Sequence, residues 1–241
     1  MQRRSLNMGQ PALSSARPGL CSNCRDAALA QRYRKKGTNM PINIADLQKG
    51  DIMLKLSDGS AVNRIITAGQ RLTNAEEYKD ITHAAVYHGN NIIVESIGEG
   101  VARGDLRQAP RNGNTYLVFR CKNQALRQAA ADRANDLWNA HRQHRNIKYG
   151  KAIAGRSVVK VPKRAPAAAD ITNKADSILG GEQHTIFCSS FVTFAYQWAA
   201  VQANIPVANF FPFDDNSVAP STLAALLERN QGYFDFVGVL G

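Results

Sequence analysis

One of the four cysteines, Cys188, lies where covalent chemistry is favoured. Gly180 and Gly181 interrupt any earlier element, and Ser189 and Ser190 fall in the first turn of a predicted helix. The apolar residues of that helix recur at a spacing typical of one helical face: Phe191, Val192, Phe194, Ala195, Trp198 and Ala199. Cys188 therefore lies within a residue of a helix N-terminus, where unpaired N–H groups and the helix dipole stabilise a thiolate. A thiolate is a good nucleophile when a histidine lies beside it.

A structural role is the alternative for each cysteine, because free cysteines commonly pack as small hydrophobic residues. Cys121 lies in an apolar stretch and is expected in the core. Cys21 and Cys24 form a C-x2-C pair, but no second Cys or His pair follows at the spacing of a zinc site. We therefore predict no zinc site there, and redox pairing of these two thiols is an open alternative.

A histidine base is needed to activate Cys188, and the chain has five histidines. His83 lies near the start of the apolar stretch 82–87, where an imidazole is costly to bury without a partner. His88 is expected in a solvated turn, and His184 in a loop near the cysteine. His141 and His144 are expected at the end of a helix, where cations suit the dipole. His83 is thus the candidate base, and His184 is the weaker one.

Glu95 is the candidate for a third group that would orient the imidazole. It lies in the run 92–97, which we expect to pair with the His83 strand through a hairpin turn near Gly89 and Asn90. Because side chains alternate along a strand, only one of Glu95 and Ser96 can share the face of His83. An exposed glutamate on an edge strand is the alternative interpretation.

The order of elements predicts an α+β fold in which helices pack against an antiparallel sheet. Strands are predicted over residues 52–56, 82–87, 92–97, 115–121 and 233–240. Helices are predicted over residues 60–72, 123–144, the Cys188 segment and 221–229, the last with Ser221 as its N-cap. Residues 1–40 are predicted to form a basic, mostly disordered arm with a short helix over 25–36, and residues 41–241 one domain. Residues 150–182, rich in Lys, Pro, Ala and Gly, are interpreted as an insertion or long loop that holds at most a short helix.

The composition limits the kinds of partner that the protein is expected to have. With 241 residues, 44% of them hydrophobic, the chain is long enough for one sizeable core. A net charge of +11 suits an anionic surface, reached through the basic arm, although no nucleic-acid motif is found. No apolar stretch is long enough for a membrane helix and no secretory signal is recognised, which predicts a cytoplasmic protein or one exported by a specialised route. No spacing calls for a metal or an organic cofactor.

An ordered set of short motifs resembles a known superfamily. The set comprises Gly50-Asp51-Ile52, then 82–87 (Thr-His-Ala-Ala-Val-Tyr), then Val94-Glu95-Ser96 with Gly100-Val101, then 116–120 (Tyr-Leu-Val-Phe-Arg), Tyr149, 187–192 (Phe-Cys-Ser-Ser-Phe-Val) and 219–223 (Ala-Pro-Ser-Thr-Leu). In this order it resembles the circularly permuted branch of the NlpC-type papain-like cysteine hydrolases, which are distantly similar to lecithin–retinol acyltransferase-like enzymes. The histidine precedes the cysteine, as in the permuted members. The resemblance covers residues 46–239; segment 150–182 and the N-terminal arm depart from it.

The resemblance implies a papain-like fold with a triad of Cys188, His83 and Glu95. It matches Tyr149 to a tyrosine that precedes the cysteine segment in such proteins, and we expect Tyr149 and Ser189 to line the substrate site. The implied activity is cleavage of an amide through an acyl-enzyme, above all in the peptide stems of peptidoglycan. Delivery as an antibacterial effector is one way in which such an enzyme would reach the cell wall. An acyltransferase or lipid-directed enzyme with the same triad is the first alternative, since residues 210–213 (Phe-Phe-Pro-Phe) would suit an acyl cleft. A non-catalytic binding module on this fold is the second alternative.

Overall fold

The chain folds around one antiparallel sheet. The computed structural model describes residues 41–57, 78, 80–108, 113–150 and 163–241. Its strands are β1 (Ile52–Leu56), β2 (Ile81–Gly89), β3 (Ile92–Ile97), β4 (Gly100–Asp105), β5 (Tyr116–Cys121), β6 (Ile147–Tyr149), β7 (His184–Ile186) and β8 (Phe234–Leu240). Its α-helices are α1 (Gln124–His144), α2 (Ala168–Leu179), α3 (Cys188–Gln202) and α4 (Pro220–Arg229). Six strands form the sheet in the order β4-β3-β2-β1-β5-β8, and β6 and β7 form a separate parallel pair.

These elements confirm the predicted α+β class and antiparallel sheet. The predicted strands and the three predicted helices that fall on described residues are present, whereas the predicted helices over 25–36 and 60–72 and the arm 1–40 lie outside the described residues. Strand β4 was not predicted from the sequence, because its first residue is Gly100 and glycine commonly marks the end of a strand. Ser221 is not the N-cap of α4: that position is Ala219, and Pro220 begins the helix.

The main core lies between the sheet and all four helices. Helix α3 is its centre, since the side chains from Cys188 to Ala200 are all buried. Alternate residues of the strands face this core, among them Ile52 and Leu54 of β1 and Val94 of β3. The aromatic run after α3 also belongs to it, because Phe210 and Phe211 are fully buried.

The opposite face of the sheet carries a smaller apolar cluster. Met53, Ala85, Tyr87 and Ile93 point to this side, and they are covered in part by Ile42, Leu47 and Leu106. His83 and Glu95 have the same parity as Ala85 and Ile93 and so belong to this second face. The sheet therefore separates the main core from the face that holds the candidate base.

The β2–β3 hairpin fixes the positions of His83 and Glu95. Asn90 and Asn91 form its turn with φ values of 52° and 63°, as a two-residue type I′ turn requires. The register pairs Ala85 with Glu95. A bulge in β2 opposite the Lys55–Leu56 step shifts the pairing, so that Lys55 faces His83 while Leu56 faces Ile81. The bulge lets Ile81 enter the main core while His83 points to the other face.

The Gly50–Asp51 motif has a structural role at the start of β1. Asp51 is fully buried and receives two hydrogen bonds from the Arg120 guanidinium, at 2.8 and 2.6 Å. The buried carboxylate is thereby paired with a charge, which its desolvation requires.

The described part of segment 150–182 is more ordered than a loop. Residues 168–179 form helix α2, which packs against α3 and so becomes part of the main core. Ile171, Ala175 and Ile178 supply its buried stripe. In the described ranges, with gaps at 58–77, 79, 109–112 and 151–162, no helix has the length and apolarity needed to cross a membrane.

Candidate active site

Cys188 is the first residue of α3, as the sequence pattern predicts. The N-cap, Phe187, has extended backbone and no side-chain cap, so the first N–H groups of the helix are not satisfied by a capping side chain. The first N–H that bonds back along the helix is that of Phe191, which donates to the Phe187 carbonyl. Cys188 is only 1% exposed.

His83 and Glu95 form a close pair on the second face of the sheet. His83 Nε2 lies 2.6 Å from Glu95 Oε2, and the two side chains are 16% and 17% exposed. They are diagonal neighbours across the β2–β3 ladder, within the reach of long side chains. Ser96 points to the other face, where its hydroxyl donates to the Ile186 carbonyl at 2.8 Å. Glu95, rather than Ser96, is therefore the partner of the imidazole.

Three groups hydrogen-bond the Cys188 sulfur: the imidazole of His83, the backbone N–H of Ala84 and the hydroxyl of Tyr149. Since His83 Nε2 is engaged by Glu95, we assign the bond with the sulfur to Nδ1. The backbone N–H of Ala84 can donate to the sulfur because the hydrogen-bond ladder between β2 and β3 ends at the Ala85–Glu95 pair. The start of α3 thus meets the sheet where these two strands separate.

The electrostatics of the cluster favour a thiolate beside an imidazolium. Burial alone would raise the pKa of Cys188, but the charge and hydrogen bond of His83, with the bonds from Ala84 and Tyr149, lower it below its usual value. Burial alone would lower the pKa of His83, but the Cys188 charge and the hydrogen bonds to Cys188 and Glu95 raise it to about 10. Burial would raise the pKa of Glu95, yet its hydrogen bond to His83 and the nearby cations lower it.

Tyr149 reaches the sulfur from β6, which pairs in parallel with β7 so that Tyr149 lies opposite Ile186. Burial, together with the charge and hydrogen bond of Cys188, raises the pKa of Tyr149 well above its usual value. The hydroxyl therefore remains neutral and can donate to a thiolate.

Ser189 is placed differently from Tyr149. It is fully buried, and its hydroxyl donates to the Val218 carbonyl at 2.6 Å. A contact between Ser189 and a substrate would have to come from its backbone N–H at the start of α3.

Two of the remaining histidines, His141 and His184, have structural partners. His141 is buried at the end of α1, and its Nδ1 accepts from the N–H of Ile147. His184 lies in β7 rather than in a loop, and its Nε2 is 2.8 Å from the Ser177 hydroxyl. His88, expected to be solvated, is half-buried in β2, because the strand extends two residues beyond the predicted end. Among the histidines of the described ranges, His83 is the one that bonds the Cys188 sulfur.

A buried ionic network supports the start of α3, and no sequence pattern indicated it. The Ser190 hydroxyl donates to Asp215 at 2.5 Å, and Lys174 of α2 bonds the same carboxylate at 2.7 Å. Asp215 is 2% exposed, and the Lys174 ammonium also lies 4.5 Å from the centre of the Phe194 ring. The network ties α2 and the loop before α4 to the helix that carries Cys188.

Among the described residues, neither Cys121 nor the potential metal ligands form a second site. Cys121 is fully buried in β5, as expected, and Cys21 and Cys24 lie outside the described residues. Across the described residues no group of three or more His, Cys, Asp or Glu side chains could hold a metal ion.

Comparisons with known proteins leave the family open. No protein-family model matches the chain, and a search of curated proteins finds no similar sequence. The functional argument therefore rests on the geometry of the site.

Proposed function

We propose that the protein is a cysteine hydrolase that cleaves an amide bond through a triad of Cys188, His83 and Glu95, on a permuted papain-like fold of the NlpC type. One observation carries the proposal: a cysteine at a helix N-terminus contacts an imidazole whose other nitrogen is 2.6 Å from a carboxylate. A nucleophile, a base and an orienting group within hydrogen-bonding reach are the arrangement that covalent catalysis requires.

Acylation begins when the Cys188 thiolate attacks the carbonyl carbon of the amide and forms a C–S bond. The free N–H groups at the start of α3 are suited to hold the oxyanion of the tetrahedral intermediate. When the intermediate collapses, the C–N bond breaks and the proton on His83 Nδ1 passes to the leaving amine. A thioester on Cys188 and a neutral imidazole result.

Deacylation reverses the roles of these groups. Neutral His83 takes a proton from water, and the hydroxide formed attacks the thioester carbonyl. The C–S bond breaks, the acid product leaves, and the thiolate–imidazolium pair is restored. Glu95 accepts from Nε2–H throughout and keeps Nδ1 turned toward the reacting atoms.

Peptide stems of peptidoglycan are the substrate that we propose, because the resemblance of the motifs points to wall hydrolases and a chain of net charge +11 suits an anionic wall. A specialised export route, such as delivery of an antibacterial effector into a neighbouring cell, would bring the protein to that substrate.

The acyltransferase alternative loses its main support. Phe210 and Phe211, which suggested an acyl cleft, are fully buried and pack in the main core against Tyr196, Tyr233 and Phe234. The same triad can still form a thioester from a lipid acyl donor, so lipid donors belong in the test.

The test is mass spectrometry of purified stem peptides incubated with the wild-type protein. We expect cleavage with a new carboxyl terminus, and a loss of at least about 100-fold in kcat/KM for Cys188→Ala and for His83→Ala. Cys121→Ala, which removes a buried thiol outside the site, is the matched control and should keep the activity.

Two results would contradict the proposal. Acyl capture on Cys188 from lipid donors, without cleavage of peptides, would favour an acyltransferase. An unperturbed Cys188 thiol that reacts with neither substrate class would favour the binding module.

A further inference from the structure

Lys55 is a cation on the same sheet face as the triad. In the β1–β2 ladder it lies directly opposite His83, and in the β1–β5 ladder it lies opposite Tyr116. Because side chains of paired residues share a face, Tyr116, Lys55 and His83 form a row across three strands. Glu95, on β3, continues that row through its 2.6 Å contact with His83.

The backbone is irregular at the position of Lys55. The β1–β2 register shifts between Lys55 and Leu56, so that Ile81, opposite Leu56, faces the main core while His83, opposite Lys55, does not. A bulge increases the local twist and re-aims the side chains beside it. Here it directs His83 to the face that Lys55 and Glu95 occupy, at one end of a surface that is otherwise apolar.

The groups facing Glu95 can be named from each neighbouring strand. His83 comes from β2 and Lys55 from β1, and both cations act to lower the pKa of the carboxyl against its burial. Tyr116 of β5 is 4% exposed, and burial and the Glu95 charge raise its pKa, so it is neutral. On β4, Gly104 offers no side chain, and a Cβ there would lie 3.1 Å from Glu95 Oε1.

The reaction cycle removes one of these two cations. Once His83 has given its proton to the leaving amine, Glu95 faces a neutral imidazole in a site that is largely closed to water. A carboxylate with no nearby cation would then gain affinity for a proton, and a protonated Glu95 would no longer stabilise the next imidazolium.

We propose that Lys55 is a positioning residue that keeps Glu95 ionised and directed at His83 while the imidazole is neutral. The inference rests on the proposed function, because it assigns Lys55 a part in the same catalytic cycle. Lys55 acts through Glu95 and does not touch the reacting atoms.

The experiment measures alkylation of Cys188 by iodoacetamide between pH 4 and 8, in the full chain with the other cysteines replaced by alanine. In the reference protein we expect fast alkylation that is lost as the pH falls through the acid midpoint. Lys55→Met should move this midpoint up by about half a unit to one unit, because Glu95 then binds a proton at higher pH. Lys55→Arg, which keeps the charge, should restore the reference midpoint.

Two further variants separate the proposed route from a general loss of charge. Lys122 pairs with Asp235 at 3.2 Å and follows the end of β5 that is distant from Tyr116. Lys122→Met removes this cation and should leave the midpoint unchanged. In a Glu95→Gln background Lys55→Met should add almost no shift, since the group through which it acts is gone. Circular dichroism checks folding, and Lys55→Gln repeats the comparison if Lys55→Met unfolds.

The outcomes distinguish this inference from the proposed function. An unchanged midpoint in Lys55→Met, or an equal shift in the Glu95→Gln background, overturns the role of Lys55 and leaves the triad standing. A reference protein whose Cys188 reacts only near the pKa of about 8.5 of a free thiol overturns both.

Discussion

At the scale of single residues, Cys188 combines two properties that usually exclude each other. A thiol that is 1% exposed would ordinarily be an inert part of the core, since burial disfavours the thiolate. Here the His83 charge and the donors from Ala84 and Tyr149 reverse that preference. The depressed pKa of Cys188 is the property expected of a nucleophile, and it depends on neighbours that are distant in sequence.

The protonation of His83 can be measured directly. Its pKa of about 10 is raised against burial, chiefly by the Cys188 charge, so Cys188→Ala should lower it well below that value. Long-range proton–nitrogen NMR of the histidine rings from pH 5 to 11 would follow the titration. Cys121→Ala is the control and should leave it unchanged. Titration of His83 near 6.5 in the wild-type protein would contradict the thiolate–imidazolium pair.

At the scale of elements, the sequence predicted the parts of the site that depend on local periodicity. The start of α3 at Cys188 and the pairing of the His83 and Glu95 strands follow from an apolar stripe and from a two-residue asparagine turn. The choice of Glu95 over Ser96 depends on register, which was left open in the sequence. The donation of the Ala84 N–H to the sulfur and the buried Lys174–Asp215 pair arise only from packing between elements.

The turn before β1 shows how closely two elements are fitted together. Gly50 has a φ of +90°, and a Cβ at this position would lie 2.0 Å from the Arg127 carbonyl oxygen of α1. Its N–H donates to the Tyr87 carbonyl at 2.7 Å, and its carbonyl accepts from Tyr196 of α3 at 2.5 Å. The turn therefore joins the sheet to both helices and has no space for a side chain.

Gly50→Ala should lower the free energy of unfolding by about 2–5 kcal/mol, from the strained φ and the steric clash together. The measurement is urea unfolding followed by circular dichroism. Gly98→Ala is the matched control, because a Cβ there meets nothing within 4 Å, and its effect should stay within about 0.5 kcal/mol. Equal stability of the two variants would contradict the close approach of α1 to this turn.

At the scale of the whole molecule, the candidate site exists only when distant parts of the domain meet. His83 and Glu95 come from the hairpin, Tyr149 from a short parallel pair, and Cys188 from the central helix. The Ser96–Ile186 hydrogen bond joins the hairpin to the segment before Cys188. No local fragment contains both the sulfur and its base, so the reactivity of Cys188 should report on global folding.

This dependence predicts an unusual response of Cys188 to unfolding. In a protein whose other cysteines are replaced, the folded state at about pH 5.5 should react with iodoacetamide as a thiolate, whereas an unfolded thiol of pKa about 8.5 is only about one-thousandth ionised. The alkylation rate should therefore fall as urea unfolds the chain, with the same midpoint as circular dichroism. An inert buried thiol would behave in the opposite way, since unfolding would expose it and raise its rate. His83→Ala serves as the control: with the imidazolium gone, its folded state should lose the rate advantage over the unfolded state while the urea transition itself remains cooperative.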